Sequence, residues 1–148
     1  RVENLISLYT ATKKANRIRN NEKIQIFNYG NCKRDFTYID DIVEGVMRVM
    51  QAPPEKKKGE DGLPVPPYAI YNIGNNHPEK LLDFIAVLER AIGKKAILDL
   101  LPMQPGDVPK TYADITSSQR DLGYAPRTTV EEGIPRFIDW YRRYYNIK

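Results

Sequence analysis

Residues 33–41 read Lys-Arg-Asp-Phe-Thr-Tyr-Ile-Asp-Asp and join a strand-like alternation to the start of an apolar-periodic helix. The aromatic and β-branched residues that follow Arg34 favour an extended, half-buried backbone, so the pattern predicts that Arg34 lies on an ordered segment. A guanidinium presents a rigid fork of donors that matches the oxygens of phosphate groups. We therefore expect Arg34 to be well placed to grip a diphosphate.

A helix is predicted to begin near Ile42, with Asp40 or Asp41 as the side chain that caps it. Apolar residues recur along it at i, i+3, i+4 and i+7 and predict one packing face, made of Val43, Val46, Met47 and Met50. The helix should stop at Ala52, because Pro53 and Pro54 cannot continue it.

Working outward, the remaining periodic segments predict further strands and helices. Strands are expected at 23–29, 68–74 and 96–101, and helices at 7–20 with Ser7 as cap, 81–92 closed by Gly93, 117–122 ended by Gly123, and from a capping-box pattern at 129–132 to the tail. Pro78 is expected just inside the start of the 81–92 helix.

The composition limits the possible function classes. The chain has 148 residues, 23 basic and 19 acidic residues and a net charge of +4, with the two signs interleaved. This mild basic bias suits an anionic ligand and is weak support for nucleic acid. Cys32 is the only cysteine, which excludes a disulfide framework and a thiolate metal site. No membrane-spanning or signal-peptide pattern is present, so a cytoplasmic protein is expected.

The first helix carries a tyrosine and a lysine one turn apart, Tyr9 and Lys13. A free tyrosine titrates near about pH 10, so it is a poor base at neutral pH unless a nearby cation favours the phenolate. Lys13 is spaced to supply that cation. Such pairs also occur by chance, and this pattern alone does not decide between a catalytic pair and ordinary surface residues.

Four segments together resemble the extended short-chain dehydrogenase/reductases, and within them the NAD-dependent nucleotide-sugar epimerases. They are the Tyr-x-x-x-Lys segment at 9–13, Arg-Asp-Phe-Thr-Tyr-Ile-Asp-Asp at 34–41, Tyr-Asn-Ile-Gly-Asn at 71–75, and Pro-Met-Gln-Pro-Gly-Asp-Val at 102–108. Several relatives have an arginine at the position of Gln104. The glutamine here is most similar to the branch that handles UDP-glucuronate, the UDP-glucuronate 4-epimerases.

The resemblance implies a set of site residues and a cofactor, NAD. It implies Tyr9 and Lys13 as catalytic and cofactor-binding residues, Gln25 and Phe27 at the uracil base, Arg34 and Gln104 at the diphosphate, and Asp107 at the nucleotide ribose. Phe27 could equally be a core residue. A neutral Gln104 gives up a charge-assisted contact of about 1.5–3 kcal/mol. No metal site is implied.

The implied reaction is inversion of C4 of UDP-glucuronate through a 4-keto intermediate. Tyr9 would take the proton of the C4 hydroxyl while NAD accepts the hydride, and the sugar would turn while its diphosphate stays held. The alternatives are a UDP-glucuronate decarboxylase, a nucleotide-sugar 4,6-dehydratase, and a non-catalytic UDP-sugar-binding fragment.

The expected fold is α/β, the substrate-binding C-terminal portion of an extended short-chain dehydrogenase/reductase with the glycine-rich Rossmann half absent. No glycine-rich turn that could carry a cofactor pyrophosphate occurs in the sequence. We expect residues 1–20 to be a remnant helix of the NAD-binding domain and residues 21–148 to be the sugar-nucleotide-binding domain. The chain alone is expected to be inactive, and the full-length enzyme to be a homodimer with no nucleic-acid or membrane partner.

Overall fold

The computed structural model describes residues 8–147, with the side chains of residues 12–147. Ser7, the expected helix cap, lies outside the described residues. The elements alternate between helices and short strands, which confirms the α/β class. The helices are α1 (Leu8–Arg19), α2 (Ile39–Gln51), α3 (Leu81–Ile92), α4 (Thr116–Leu122) and α5 (Val130–Tyr144); the strands are β1 (Lys23–Ile26), β2 (Lys33–Asp35), β3 (Lys57–Lys58), β4 (Pro64–Val65), β5 (Pro78–Lys80) and β6 (Ile97–Leu100).

The strands of the described chain form three two-stranded sheets. β1 runs parallel to β6 with Ile26 opposite Leu100, so the carboxyl ends of both strands lie side by side. β2 runs antiparallel to β5 with Arg34 opposite Glu79. β3 and β4 form a small antiparallel ribbon between α2 and β5.

The main hydrophobic core lies where α1, β1, α3 and α5 meet. Its buried members alternate along β1 and recur at helical spacing on the three helices, as expected for one apolar face on each element. They are Ala15, Ile18, Ile24, Ile26, Phe84, Ile85, Val87, Leu88, Val130, Ile134, Phe137, Ile138 and Tyr141. A second, smaller cluster joins α2 to α4 around Ile115, Leu122 and Tyr124.

Several helix ends follow the local sequence. Gly93 and Gly123 end α3 and α4 in the left-handed conformation, with φ of 81° and 61°. Thr129 and Glu132 form the predicted capping box at the start of α5. The prediction that Pro78 lies just inside the start of α3 is wrong. Pro78 begins β5, and because residues 78–80 pair with β2, α3 starts only at Leu81.

The predicted cap of α2 is also wrong. The helix begins at Ile39, its N-cap is Tyr38, and no side chain caps it. Asp41 is buried inside the first turn and accepts hydrogen bonds from the backbone N–H groups of Arg127 (3.2 Å) and Thr128 (3.1 Å). The carboxylate therefore holds the loop before α5 against the start of α2.

Two apolar segments that were expected to be packed are exposed. All four residues of the predicted α2 face are exposed, and Met50 reaches 71 %. Residues 68–74 form no strand, and Tyr68 and Ile70 are 77 % and 80 % exposed. Both predictions rested on apolar pattern, and the described part of the chain supplies no element to cover these residues. No helix in the described range is long and apolar enough to span a membrane.

Candidate functional site

Arg34 connects β2 to the segment that follows β6. Its Nη1 donates hydrogen bonds to the carbonyl oxygens of Lys33 (2.9 Å) and Pro109 (3.4 Å). The backbone supports the same connection, because the Lys33 N–H donates to the Pro109 carbonyl at 2.9 Å. Arg34 therefore lies next to residues 102–109, which we call the strand-end loop.

The strand-end loop contains a tight turn that carries two of the predicted contacts. The Asp107 N–H donates to the Gln104 carbonyl at 3.1 Å, and Gly106 has a φ of 88° that suits glycine. Gln104 is exposed and Asp107 is half-buried. Both side chains are thus on the segment that Arg34 holds through Pro109.

The end of β1 meets the start of the same loop. Gln25 is exposed and pairs with Asp99 of β6, and the half-buried Phe27 opens a tight turn, Phe27–Gly30. The Tyr29 N–H then donates to the Leu101 carbonyl at 3.0 Å. The five residues predicted to contact the nucleotide therefore lie on β1, the turn after it, β2 and the strand-end loop, and backbone hydrogen bonds connect these segments through residues 101–109.

The predicted catalytic pair lies on α1, which packs on β1 and α3. Lys13 is exposed, whereas its neighbour Lys14 is half-buried, and burial together with the Arg17 charge lowers the pKa of Lys14. The side chain of Tyr9 lies outside the described side chains. The role of Tyr9 and Lys13 accordingly stays a prediction.

A cavity of about 600 Å³ lies between the end of β2, the start of α2 and the start of α5. Its walls are mainly apolar, with hydroxyl groups among the lining residues. The lining residues are Asp35, Phe36, Thr37, Tyr38, Ile39, Ile42, Ile73, Gly74, Phe84, Thr111, Tyr112, Ala113, Thr128, Thr129, Val130, Gly133, Ile134 and Phe137. No sequence motif indicates this cavity, because its lining comes from segments far apart in the chain.

Asp35 organises one wall of the cavity. Its Oδ2 accepts the backbone N–H groups of Asn76 (3.0 Å) and Ala113 (2.9 Å). Gly74 permits this close approach, since a Cβ there would lie 2.5 Å from that of Ala113. Asp35 Oδ1 and Thr111 Oγ1 are buried with no hydrogen-bond partner within the described residues. In the sequence, the feature that could have indicated a role for Asp35 was its position directly after Arg34 on a short predicted strand.

Tyr38 is the cavity residue with a shifted pKa. Burial raises the pKa of its hydroxyl, the nearby Asp40 carboxylate raises it further, and Arg136, whose guanidinium lies 5.9 Å from the ring centroid, lowers it. Because the net shift is upward, Tyr38 is a neutral hydroxyl at physiological pH. It can serve as a hydrogen-bond donor, and it is not a phenolate base.

The described residues contain no cluster of metal ligands, and two of their glycines, Gly30 and Gly74, are closed to a phosphate group. Among residues 8–147 no group of three or more His, Cys, Asp or Glu side chains could hold a metal. Gly30 and Gly74 are packed against Leu82 and Ala113, so neither opens a backbone cradle for phosphate.

A sequence-family comparison matches the "NAD dependent epimerase/dehydratase family" over residues 7–74. Protein CapI of Staphylococcus aureus is 43% identical over 134 residues, covering 86% of this chain and 40% of that protein. The Probable UDP-glucuronate 4-epimerase of Rhizobium meliloti is 39% identical over 135 residues, again covering 86% of this chain and 40% of that protein. The chain therefore spans about 40% of the length of these curated relatives.

A solved structure gives the same result for the fold. The UDP-glucuronic acid 4-epimerase from Bacillus cereus, in complex with UDP-glucuronic acid and NAD, superposes with a TM-score of 0.73 at 27% identity. The match covers 91% of this chain and 40% of that one.

Proposed function

This chain belongs to the NAD-dependent epimerase/dehydratase family, and from that premise we propose that it is the nucleotide-sugar-binding portion of a UDP-sugar 4-epimerase. The proposed substrate is UDP-glucuronate, inverted at C4 through a 4-keto intermediate. The similarity to the Rhizobium protein over most of this chain supports that choice of sugar. Homodimerisation of the full-length enzyme stays a prediction.

The observation that carries the proposal is the connection of Arg34 to the strand-end loop. Nη1 is used on the carbonyls of Lys33 and Pro109, while Nε and Nη2 have no hydrogen-bond partner within the described residues. Those remaining donors are available for a bidentate contact with phosphate oxygens. Gln104 on the same loop supplies a neutral donor, and Asp107 an acceptor for ribose hydroxyls.

The uracil base and the sugar of the substrate are also assigned contacts with this chain. Gln25 and Phe27, at the end of β1, would contact the uracil, with Phe27 as the flat apolar surface. Tyr9 would take the proton from the C4 hydroxyl, with Lys13 supporting the phenolate and the nicotinamide ribose. NAD, when bound, supplies hydride exchange at C4.

No residue of this chain is assigned to the NAD pyrophosphate, because the sequence has no glycine-rich turn that could carry it. We therefore expect the 148-residue chain to bind UDP and UDP-glucuronate, to bind NAD weakly or not at all, and to be inactive alone. Isothermal titration calorimetry with UDP and with NAD separately tests this. NAD binding as tight as UDP binding would contradict it.

Arg34→Ala tests the main contact. Loss of a charge-assisted, bidentate contact worth about 2 kcal/mol or more should weaken UDP binding by roughly 30-fold or more. Arg120→Ala is the matched control, since Arg120 is an exposed arginine on α4 paired with Asp121 at 2.6 Å. Unchanged UDP affinity of Arg34→Ala, with circular dichroism showing an intact fold, would remove Arg34 from the site.

A further inference from the structure

Three exposed lysines lie side by side on neighbouring extended segments. Lys33 of β2 is opposite Lys80 of β5, and on its other side it forms a parallel bridge with Lys110. Directly opposed residues project from the same face of a sheet. Lys33, Lys80 and Lys110, which we call the lysine row, therefore present three ammonium groups on one face.

The backbone pairing makes this row compact. The Lys33 N–H donates to the Pro109 carbonyl (2.9 Å), and the Lys33 carbonyl accepts from the Thr111 N–H (3.2 Å). Because both groups point toward residues 109–111, Lys33 and Lys80 form a non-hydrogen-bonded pair, whose Cα atoms lie about 4.5 Å apart. With a neighbouring strand about 4.8 Å away on the other side, the row spans roughly 9 Å.

The lysine row forms no ion pair with the described residues, because no carboxylate oxygen among them lies within 4.0 Å of its three ammonium groups. Glu79 is one position along β5 and so projects from the opposite face, where it lies 3.3 Å from His77. Asp35 shares the face of Lys33 but forms no ion pair with it: its Oδ2 accepts two backbone N–H groups and its Oδ1 is buried. Lys110 Nζ lies 4.8 Å from the centre of the Tyr112 ring. Directly opposed like charges destabilise a strand pair, so the bare row costs stability.

We propose that the lysine row is a binding site for a diphosphate group. A diphosphate carries several negative charges within a few ångströms. Three lysine side chains whose Cα atoms span roughly 9 Å are long and flexible enough to converge on it. A bound diphosphate would also relieve the repulsion between them. The inference rests on strand register and charge and does not depend on the proposed function.

The surroundings indicate where the rest of a diphosphate ester would lie. Asp35 and Tyr112 are two residues beyond Lys33 and Lys110 on the same face, and both line the 600 Å³ cavity. Two residues of extended chain cover about 7 Å. An ester bound through its diphosphate would therefore have the cavity as the nearest apolar surface for its organic part.

The test is calorimetric titration of the 148-residue chain with inorganic diphosphate at low ionic strength. The row variant combines Lys33→Gln, Lys80→Gln and Lys110→Gln. The matched control combines Lys56→Gln, Lys57→Gln and Lys58→Gln, which removes the same charge from three exposed lysines elsewhere. We expect at least a ten-fold loss of diphosphate affinity in the row variant and less than a two-fold change in the control.

Two results would overturn the proposal: unchanged diphosphate affinity in the row variant, or an equal loss in the control, which would mean general electrostatic attraction. The row variant should also unfold at a higher urea concentration than the wild type at low salt, since repulsion is removed. If the triple variant fails to fold, Lys80→Gln alone should still weaken diphosphate binding, and an unchanged affinity would again overturn the proposal.

Titration with UDP shows whether the lysine row binds the diphosphate of a nucleotide or only free inorganic diphosphate. If the row variant loses inorganic diphosphate and UDP alike, the row binds the diphosphate of a nucleotide. If it loses only inorganic diphosphate, the row is a separate site for the free anion. Arg34→Ala, titrated with UDP in parallel, tests the proposed function independently, so failure of one proposal is not failure of the other.

Discussion

At the residue scale, Asp41 shows how a single buried carboxylate joins distant segments. Each of its oxygens accepts one backbone N–H from the loop before α5. In Asp41→Asn one of these acceptors becomes an NH₂ group that faces a donor. We expect the free energy of unfolding to fall by about 1–3 kcal/mol, measured by urea denaturation.

Asp40→Asn is the control for this prediction. Asp40 is exposed in the same first turn of α2, so the substitution removes the same charge from the same helix end. It should cost well under about 1 kcal/mol. Equal losses in the two variants would mean that helix-end charge matters and that the two hydrogen bonds of Asp41 do not.

The buried hydroxyl of Tyr124 predicts that the free energy of unfolding depends on pH. This hydroxyl donates to the Gly74 carbonyl at 2.9 Å; burial, with the charges of Asp41, Asp35 and Glu44, raises its pKa to about 12. A tyrosine in an unfolded chain titrates near about 10. Because the folded pKa is the higher one, the stabilisation from this phenol is fully present below about pH 10. It is lost as the pH rises toward 12.

Tyr124→Phe measures that stabilisation. At pH 8 the variant should be less stable than the wild type by about 1 kcal/mol, because the Gly74 carbonyl loses its donor. The difference in the free energy of unfolding should shrink as the pH rises above about 10. A difference that stays constant up to pH 11.5 would contradict the raised pKa.

At the scale of elements, α2 has two unlike faces. One is built around Gly45, where a Cβ would lie 2.7 Å from Ile73 and 3.1 Å from Tyr124. The other is the exposed apolar face of Val43, Val46, Met47 and Met50. An exposed apolar face of this kind should bind the dye ANS.

The combined substitution Val46→Lys and Met50→Lys should reduce ANS fluorescence severalfold without lowering the free energy of unfolding. Val49→Lys is the contrasting variant, because Val49 packs against the second hydrophobic cluster. It should destabilise the chain by about 2 kcal/mol or more. Unchanged ANS fluorescence in the double variant would show that the dye binds elsewhere.

At the scale of the whole molecule, stability should be unevenly distributed. The core of α3 and α5 is buried, whereas residues 66–70 have exposed side chains and no assigned strand. Hydrogen–deuterium exchange should show backbone amides of residues 66–70 exchanging at early time points, with those of α3 and α5 protected longest. Protection of residues 66–70 equal to that of α3 would contradict this order.

The sequence by itself determined the features that depend on local chemistry. Three helix ends are set by residues within one turn of one another. They are the left-handed glycines after α3 and α4 and the Thr129–Glu132 capping box of α5. The β1 strand was readable at residues 23–26, where apolar and polar residues alternate. Its predicted continuation to residue 29 is wrong, because residues 27–30 form a tight turn with positive φ at Asn28 and Tyr29. The segment 34–41 also indicated correctly that Arg34 lies on a strand that leads into a helix.

The tertiary structure decided every feature that depends on a partner distant in the chain. Asp41 was expected to cap its own helix, and instead it accepts two N–H groups more than 80 residues away. The apolar pattern of α2 predicted a packed face but could not say whether any element covers it. The lysine row and the cavity arise only when separate segments pair. The physical reason is that periodicity and caps act within a few residues, whereas burial, charge pairing and cavities depend on which segments meet.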